Sequence, residues 1–393
     1  MKKKPIFILI AITMATSFAL VFSHSLTLPE PLIADHEPHP PLPAARNIRL
    51  ALLLDTSNSM DGLIDQTRNQ LWQVVNEFAS AKQNGMTPEL EIALFEYGND
   101  NNSAPEGYVR KLSSFTQELD AVSEGLFTLT TSGGSEFCGY AIQDAVTELQ
   151  WSQSDSDIKT IFIAGNESFA QGPVSFREAI KLAGTQGITV NTIHAGGHET
   201  GIHDNWQTAA QLAGGDYLSI DADQQIVHIN APQDEEIAAL NAELNQTYIP
   251  YGNEGVHKLE RQMKQDAESS GISSGLLAKR AMSKSSSFYK NSKWDLVDAL
   301  EEGEINEDSI SELDDDTLPT PMKDMDGAGR LEYVQQKAAA RASIKQRIAE
   351  LSESRKAFVA EKKKELSLAA PSVSDALTQA VQKEAQAKNF VFE

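Results

Sequence analysis

The sequence predicts an α/β fold: a doubly wound, mostly parallel sheet followed by an all-helical C-terminal extension. Three observations carry that expectation. Apolar runs of strand length alternate with stretches of helical periodicity between Ile48 and Ile220, the pattern of parallel pairing with right-handed crossovers and helices on both faces. The first run, Ile48 to Leu54, breaks abruptly into Asp55-Thr56-Ser57-Asn58-Ser59 just before a helix. That break places a polar loop at the C-terminal edge of the sheet, where open α/β sheets hold their ligands. From Ala231 onward the strand signal disappears and helical patterns rich in Ala, Lys and Glu take over.

The elements follow in order. Residues 1–25 begin Met-Lys-Lys-Lys-Pro and run apolar from Ile6 to Phe22. Three lysines before an apolar core read as a secretory signal peptide, and the run also approaches the roughly 17–25 residues of a membrane anchor. Either way the positive end stays in the cytoplasm and the rest is exported, periplasmic or anchored to the membrane facing outward. Residues 26–46 hold Pro29, Pro31, Pro38, Pro40, Pro41 and Pro43, an extended tether.

Residues 47–223 are the expected α/β domain. Ile64, Thr67, Leu71, Val74, Val75 and Phe78 stripe its first helix, and Glu91–Tyr97 is a strand with Tyr108–Phe115 as a short antiparallel neighbour. Ile142, Ala145, Val146 and Leu149 mark a helix, Thr160–Ala164 a strand, and Phe176, Ala179, Ile180 and Ala183 a helix. Gly187–His194 is a strand, Trp206–Ala213 a short helix and Asp216–Ile220 the last strand.

In residues 224–393, Ile237, Leu240 and Leu244 mark a helix docked on the preceding domain. Glu268–Ser287, rich in Ser and Gly, reads as a flexible or loosely helical link, and Glu301–Asp316 as an acidic run. Leu331–Leu368 is a long helix with Ile344, Leu351 and Phe358 a heptad apart. Arg355 and Lys362 interrupt that seam, so the expectation is a helical hairpin or interaction arm rather than a long coiled coil. Pro371 ends it, and Val373–Lys388 forms a last helix.

Composition excludes several classes. A net charge of −23 over 393 residues argues against a nucleic-acid partner, whose phosphates demand cations. A single cysteine, Cys138, rules out an internal disulfide and a multi-thiolate metal site. His194, His198 and His203 match no zinc spacing, and their glycine-rich surroundings read as a mobile loop. There is no phosphate-cradling Gly-Lys-Ser loop and no serine elbow.

Asp55, Ser57 and Ser59 are hard oxygen donors, suited to Mg²⁺, Mn²⁺ or Ca²⁺ rather than zinc. Read without further context, Asp55 and Ser57 also suit a helix cap. With Thr160–Glu167 and Val190–His194, this loop makes residues 47–223 resemble a bacterial branch of the von Willebrand factor type A (VWA) domains, which share a Rossmann-like sheet. That resemblance implies a metal-ion-dependent adhesion site (MIDAS) built from three loops, with a divalent cation and a protein ligand. Asp55, Ser57 and Ser59 would be its first loop. Ser135, in Thr131–Gly139, stands where the family usually has Thr and would supply the same hydroxyl.

The third loop departs from the family. Where relatives end a strand in Thr-Asp-Gly, this chain has Ala164-Gly165-Asn166-Glu167. Gly165 takes the place of a carboxylate, which removes a negative charge that hard cations depend on. Asn166 or Glu167 would complete the shell, or Asp61 or Glu136 from elsewhere on the rim. The expectation is an exported protein-binding domain whose cation site is weak, or is completed by a partner's carboxylate, with a helical interaction tail. Two alternatives stand beside it. One is a hydrolase using Cys138, at a helix N-terminus, with His194 at the same sheet edge. The other is a structural assembly protein with an inert site.

Overall fold

The computed structural model describes residues 47–79, 81–83, 85–220, 229–365 and 373–392. The signal or anchor segment 1–25 and the tether 26–46 lie outside the described residues, as does Pro371. No helix among the described residues is long and apolar enough to cross a membrane.

The first half of the described chain runs β1 (Asn47–Asp55), α1 (Asp61–Ala79), β2 (Ala81–Lys82), β3 (Glu89–Tyr97), β4 (Arg110–Thr116), α2 (Leu119–Thr128), α3 (Cys138–Glu148), β5 (Ile158–Gly165), α4 (Phe176–Thr185), β6 (Thr189–Ala195), α5 (His198–His203), α6 (Trp206–Leu212) and β7 (Gly214–Ile220). The second half runs α7 (Asp234–Asn245), α8 (Gly252–Ile272), α9 (Ser274–Ser285), α10 (Leu296–Glu301), α11 (Glu307–Ser311), α12 (Thr320–Lys323), α13 (Gly327–Glu365), α14 (Val373–Ala387) and β8 (Val391–Phe392).

Six strands form the main sheet in the order β4-β3-β1-β5-β6-β7. Only β4 is antiparallel to its neighbour. The chain builds outward from β1 in both directions, so the crevice between the ends of β1 and β5 is the switch point of the sheet, the usual ligand position in such folds. Register sets three pairs there: Asp55 with Tyr97, Leu54 with Ala164, and Gly165 with His194.

β1 is apolar on both faces because both are covered, as expected of a central parallel strand. Leu50, Leu52 and Leu54 pack with Val75 and Phe78 of α1, Val122 and Leu126 of α2, and Val381 and Ala385 of α14. Ala51 and Leu53 pack on the other side with Ile142 and Ala145 of α3, Ile180 and Ala183 of α4, and Trp206 and Ala209 of α6.

After β7 the chain leaves the sheet, and α14 returns to lie against β7 and α1. Lys383 Nζ reaches Asp216 Oδ1 at 2.5 Å, and Gln73 Nε2 donates to Thr378 Oγ1 at 3.3 Å. The following β8 pairs antiparallel with β2, and Gln83 Nε2 donates to the Lys388 carbonyl at 2.6 Å. The α/β layer thus draws on both ends of the described chain.

Two expectations are corrected. Of the two alternatives for Glu268–Ser287, a flexible or a loosely helical link, the flexible one is set aside: the end of α8 and all of α9 are helical there. Its small polar residues allow close packing, since Ser269 and Ser283 are fully buried and the Ser283 hydroxyl donates to Asn76 Oδ1 at 2.7 Å. The glycine-rich stretch after His194 holds a short helix, α5. Gly201 fits only as glycine, because a Cβ there would lie 2.1 Å from the Tyr217 hydroxyl and 2.7 Å from His194 Nδ1. The long helix is present as α13, 39 residues, and its inner face packs on α7, α9, α10 and α11. Arg355, which interrupts the apolar seam, fills its place with a 2.5 Å ion pair to Asp234.

Candidate metal centre

β1 ends in a buried acid. Asp55 Oδ1 accepts the Ser57 backbone N–H at 2.8 Å, an Asx turn of the kind that redirects a chain tightly. The turn brings the Ser57 and Ser59 hydroxyls within 3.2 Å of each other. The Ser59 hydroxyl also donates to Asn166 Oδ1 at 3.2 Å, which joins the first loop to the third.

The second loop is stitched to the first through its backbone. Ser132 N–H donates to the Thr56 carbonyl at 3.0 Å, and Asn58 N–H to the Gly133 carbonyl at 3.1 Å. Ser135 lies on the same rim through a backbone bridge to Gly98. Next to it, Glu136 is buried. Its N–H donates to Gln171 Oε1 at 2.5 Å, and its Oε2 accepts the Glu167 N–H at 3.2 Å. The Glu136 carboxyl faces the Asp55 carboxyl and the Ser57 hydroxyl.

The third loop thus contributes the Asn166 amide and the Glu167 backbone N–H, while the Glu167 side chain is exposed. Asp61's side chain lies outside the described residues. Glu136, named from the sequence only as one of two rim carboxylates, is the acid that meets Asp55. Its signal was its place directly after Ser135.

Burial pushes the Asp55 carboxyl well above the usual carboxylate range, and facing Glu136 adds to the effect. Burial also raises Glu136, which the charge of Glu167 reinforces and its hydrogen bonds oppose. Asp55 Oδ2 is buried with no hydrogen-bond donor among the described residues. Two ionised carboxyls cannot donate to each other, so only a shared proton or a cation satisfies that oxygen. Among the described residues no three His, Cys, Asp or Glu side chains converge tightly enough to hold an ion by themselves. The donors present are two carboxyls, two hydroxyls and an amide oxygen, which fit a hard divalent cation and not a soft one.

Cys138 and His194 are not a pair. The thiol is buried among Ile142 and Ala145, lies 3.6 Å from the Tyr97 hydroxyl and is pushed up by burial, the opposite of an activated nucleophile. His194 Nε2 lies 3.2 Å from the Asn166 carbonyl, and burial lowers its pKa. His198 and His203 have partners elsewhere, Ser219 at 3.2 Å and Asp204 at 3.0 Å.

No protein-family profile matches this sequence, and no curated protein sequence is similar to it. Solved structures are similar to 44–46% of this chain. The conserved hypothetical protein BatB from Bacteroides thetaiotaomicron is 15% identical, with 44% of this chain and 90% of that chain aligned at a TM-score of 0.34. The SpRpn10 VWA domain is 17% identical over 46% of this chain and 90% of that chain, TM-score 0.33. Proximal thread matrix protein 1 from the mussel byssus, in a form with a zinc-occupied MIDAS motif, is 13% identical over 46% of this chain and 43% of that chain, TM-score 0.35. In this chain the Asp-x-Ser-x-Ser loop follows β1, in a sheet of order β4-β3-β1-β5-β6-β7.

Proposed function

We propose that this is a protein-binding domain, carried out of the cytoplasm by its N-terminal segment, that presents a divalent-cation site at the C-terminal edge of its sheet. The observation that carries the reading is Asp55 Oδ2, an acid oxygen buried without a donor beside the hydroxyls of Ser57 and Ser59. Burying an uncompensated charge is expensive, and a site that tolerates it at a ligand-binding edge is a functional candidate. Mg²⁺, Mn²⁺ or Ca²⁺ would supply the missing positive charge there, held by Asp55, Ser57 and Ser59, with Ser135 and Asn166 on the rim. A protein partner's carboxylate would complete the coordination. The helical region 224–393 offers a second contact surface through the exposed charged face of α13.

Calorimetric titration of the protein with Mn²⁺, followed by capture from an envelope extract with and without a chelator, tests this reading. Binding that disappears with chelator and with Asp55→Ala is the expected result. No heat with any of the three cations, together with capture indifferent to chelator and to Asp55→Ala, removes it.

A further inference from the structure

We propose that Glu136 is the second anionic ligand of this centre and supplies, from the second loop, the charge that Gly165 withholds from the third. The inference rests on the reading of the loop edge as a cation site.

Gly165 has no room for a side chain. A Cβ there would lie 2.4 Å from the Tyr97 hydroxyl, 3.1 Å from the Trp206 ring and 3.2 Å from Asp55 Cβ. The Tyr97 hydroxyl is fixed in place by donating to the Ala164 carbonyl at 2.9 Å. The third loop is thus closed to an acid at that position.

A second glycine opens the approach from the other side. Gly98, at the end of β3, has φ +80°, a conformation that favours glycine. A Cβ on it would lie 2.7 Å from Asp55 Oδ1 and 3.0 Å from Glu136 Cγ. Its absence is what lets the two acids meet. Glu136 is also held for the purpose: Gln171 fixes its backbone and the Glu167 N–H fixes Oε2, while the carboxyl is turned toward Asp55 and Ser57. Neither acid has an ion pair with a Lys, Arg or His among the described residues. Two negative charges, neutral hydroxyls and an amide oxygen around one orphaned acceptor match a dication in charge as well as in hardness.

The test is a Mn²⁺ titration of the full chain followed by electron paramagnetic resonance, which reads free Mn²⁺ directly, on wild type, Asp55→Asn, Glu136→Gln and Glu167→Gln, with a thermal melt of each. Wild type is expected to deplete the free signal. Asp55→Asn and Glu136→Gln should each weaken binding at least tenfold, since even hydrogen-bond partners of metal ligands are worth roughly 10–100-fold in affinity. Glu167→Gln should stay within about twofold of wild type. If Glu136→Gln binds like wild type while Asp55→Asn does not, the cation site stands and the assignment of Glu136 falls. If wild type depletes no Mn²⁺, both fall. Should Glu136→Gln fail to melt cooperatively, Glu136→Asp decides: affinity within twofold of wild type overturns the assignment, and affinity weakened several-fold supports it.

Discussion

The sheet edge and the core between α2, α8 and α9 both bury carboxylates, and they treat them in opposite ways. At the edge, Asp55 faces another acid and keeps one oxygen without a donor. Between the helices, Arg280 is fully buried and donates to Asp266 Oδ1 at 2.5 Å, Asp120 Oδ1 at 2.7 Å and the Gln262 carbonyl at 3.1 Å, over the ring of Trp72. Lys284 reaches Asp266 Oδ2 and Asn241 Oδ1, each at 2.9 Å. The Tyr289 hydroxyl donates to Asp120 Oδ2 at 2.5 Å.

Burial alone would raise Asp266, but the charges of Lys284 and Arg280 outweigh it and hold the carboxyl well below its usual range. Lys284 still falls to about 8, because burial exceeds the help of an anion it must share with Arg280. The contrast separates two uses of buried charge. A network with every member partnered ties the helical region to the α/β layer. A pair of like charges left without a counter-charge marks a place for something else to bind.

The largest expected effect breaks the partnered side. Arg280→Ala strands Asp120 and Asp266 in the core, and removing one member of a buried ion network costs about 3–5 kcal/mol. Urea denaturation should show the unfolding free energy falling by that amount, with a single transition for both regions, because Arg280 joins α2 to α8. Two separated transitions, or a loss under about 1 kcal/mol, would mean that the network does not unite them.

Next in size is Gly165→Ala. The added methyl meets the Tyr97 hydroxyl at 2.4 Å on a central strand, and forcing such a group into a packed interior costs about 1–3 kcal/mol. Tyr97→Phe in the same chain should recover part of that loss. An unchanged melting temperature for Gly165→Ala would show that the edge has room for a side chain after all.

Much of this was legible in the sequence, and the failures share a cause. The strands of the main sheet read correctly because β1, β3 and β5 carry continuous apolar runs that only a doubly covered sheet produces. The first loop could be singled out because Asp55, Ser57 and Ser59 sit close together in the chain. Glu136 was harder to find: its role depends on Gly98 and Gly165, far from it in sequence, whose missing side chains decide which acid can enter. The α8–α9 region read as a link because its inward face is polar. Arg280, Lys284, Ser269 and Ser283 look like surface residues until the partners that bury them are known. The docking of α14 on β7 was invisible for a similar reason, since no local pattern tells a helix which distant strand it will cover.

Asp55→Asn sharpens the comparison from the other side, with a smaller effect of opposite sign. Asparagine keeps the acceptor for the Ser57 N–H and replaces a carboxyl whose ionised form burial and Glu136 disfavour. Stability at neutral pH without cation should rise by about 1 kcal/mol, the usual gain where a site optimised for function is relieved of its strain. Cation binding should be lost in the same protein. A variant that is less stable by a similar amount would place Asp55 among the structural charges, with Arg280.

The smallest effect concerns Glu384 on α14, a half-buried residue whose carboxyl end is enclosed against the hydroxyls of Thr160 and Thr189, with Lys388 and Asp216 nearby. Burial raises it from about 4.5 to about 7. Below pH 4.5 both folded and unfolded chains hold the proton, and the group does not affect stability. Between 4.5 and 7 the unfolded chain has released it while the folded chain still binds it, so this carboxyl makes stability fall as pH rises through that window. Above 7 the loss is complete and constant. Glu384→Gln should therefore melt like wild type at pH 4 and above it at pH 8, the gap opening between those values. Because Glu384 lies on α14, the same window should show faster amide exchange in α14 and β8 than in α13 for the wild type, and no such difference for the variant. A gap of equal size at both pH values would assign the change to packing and leave α14 insensitive to protons.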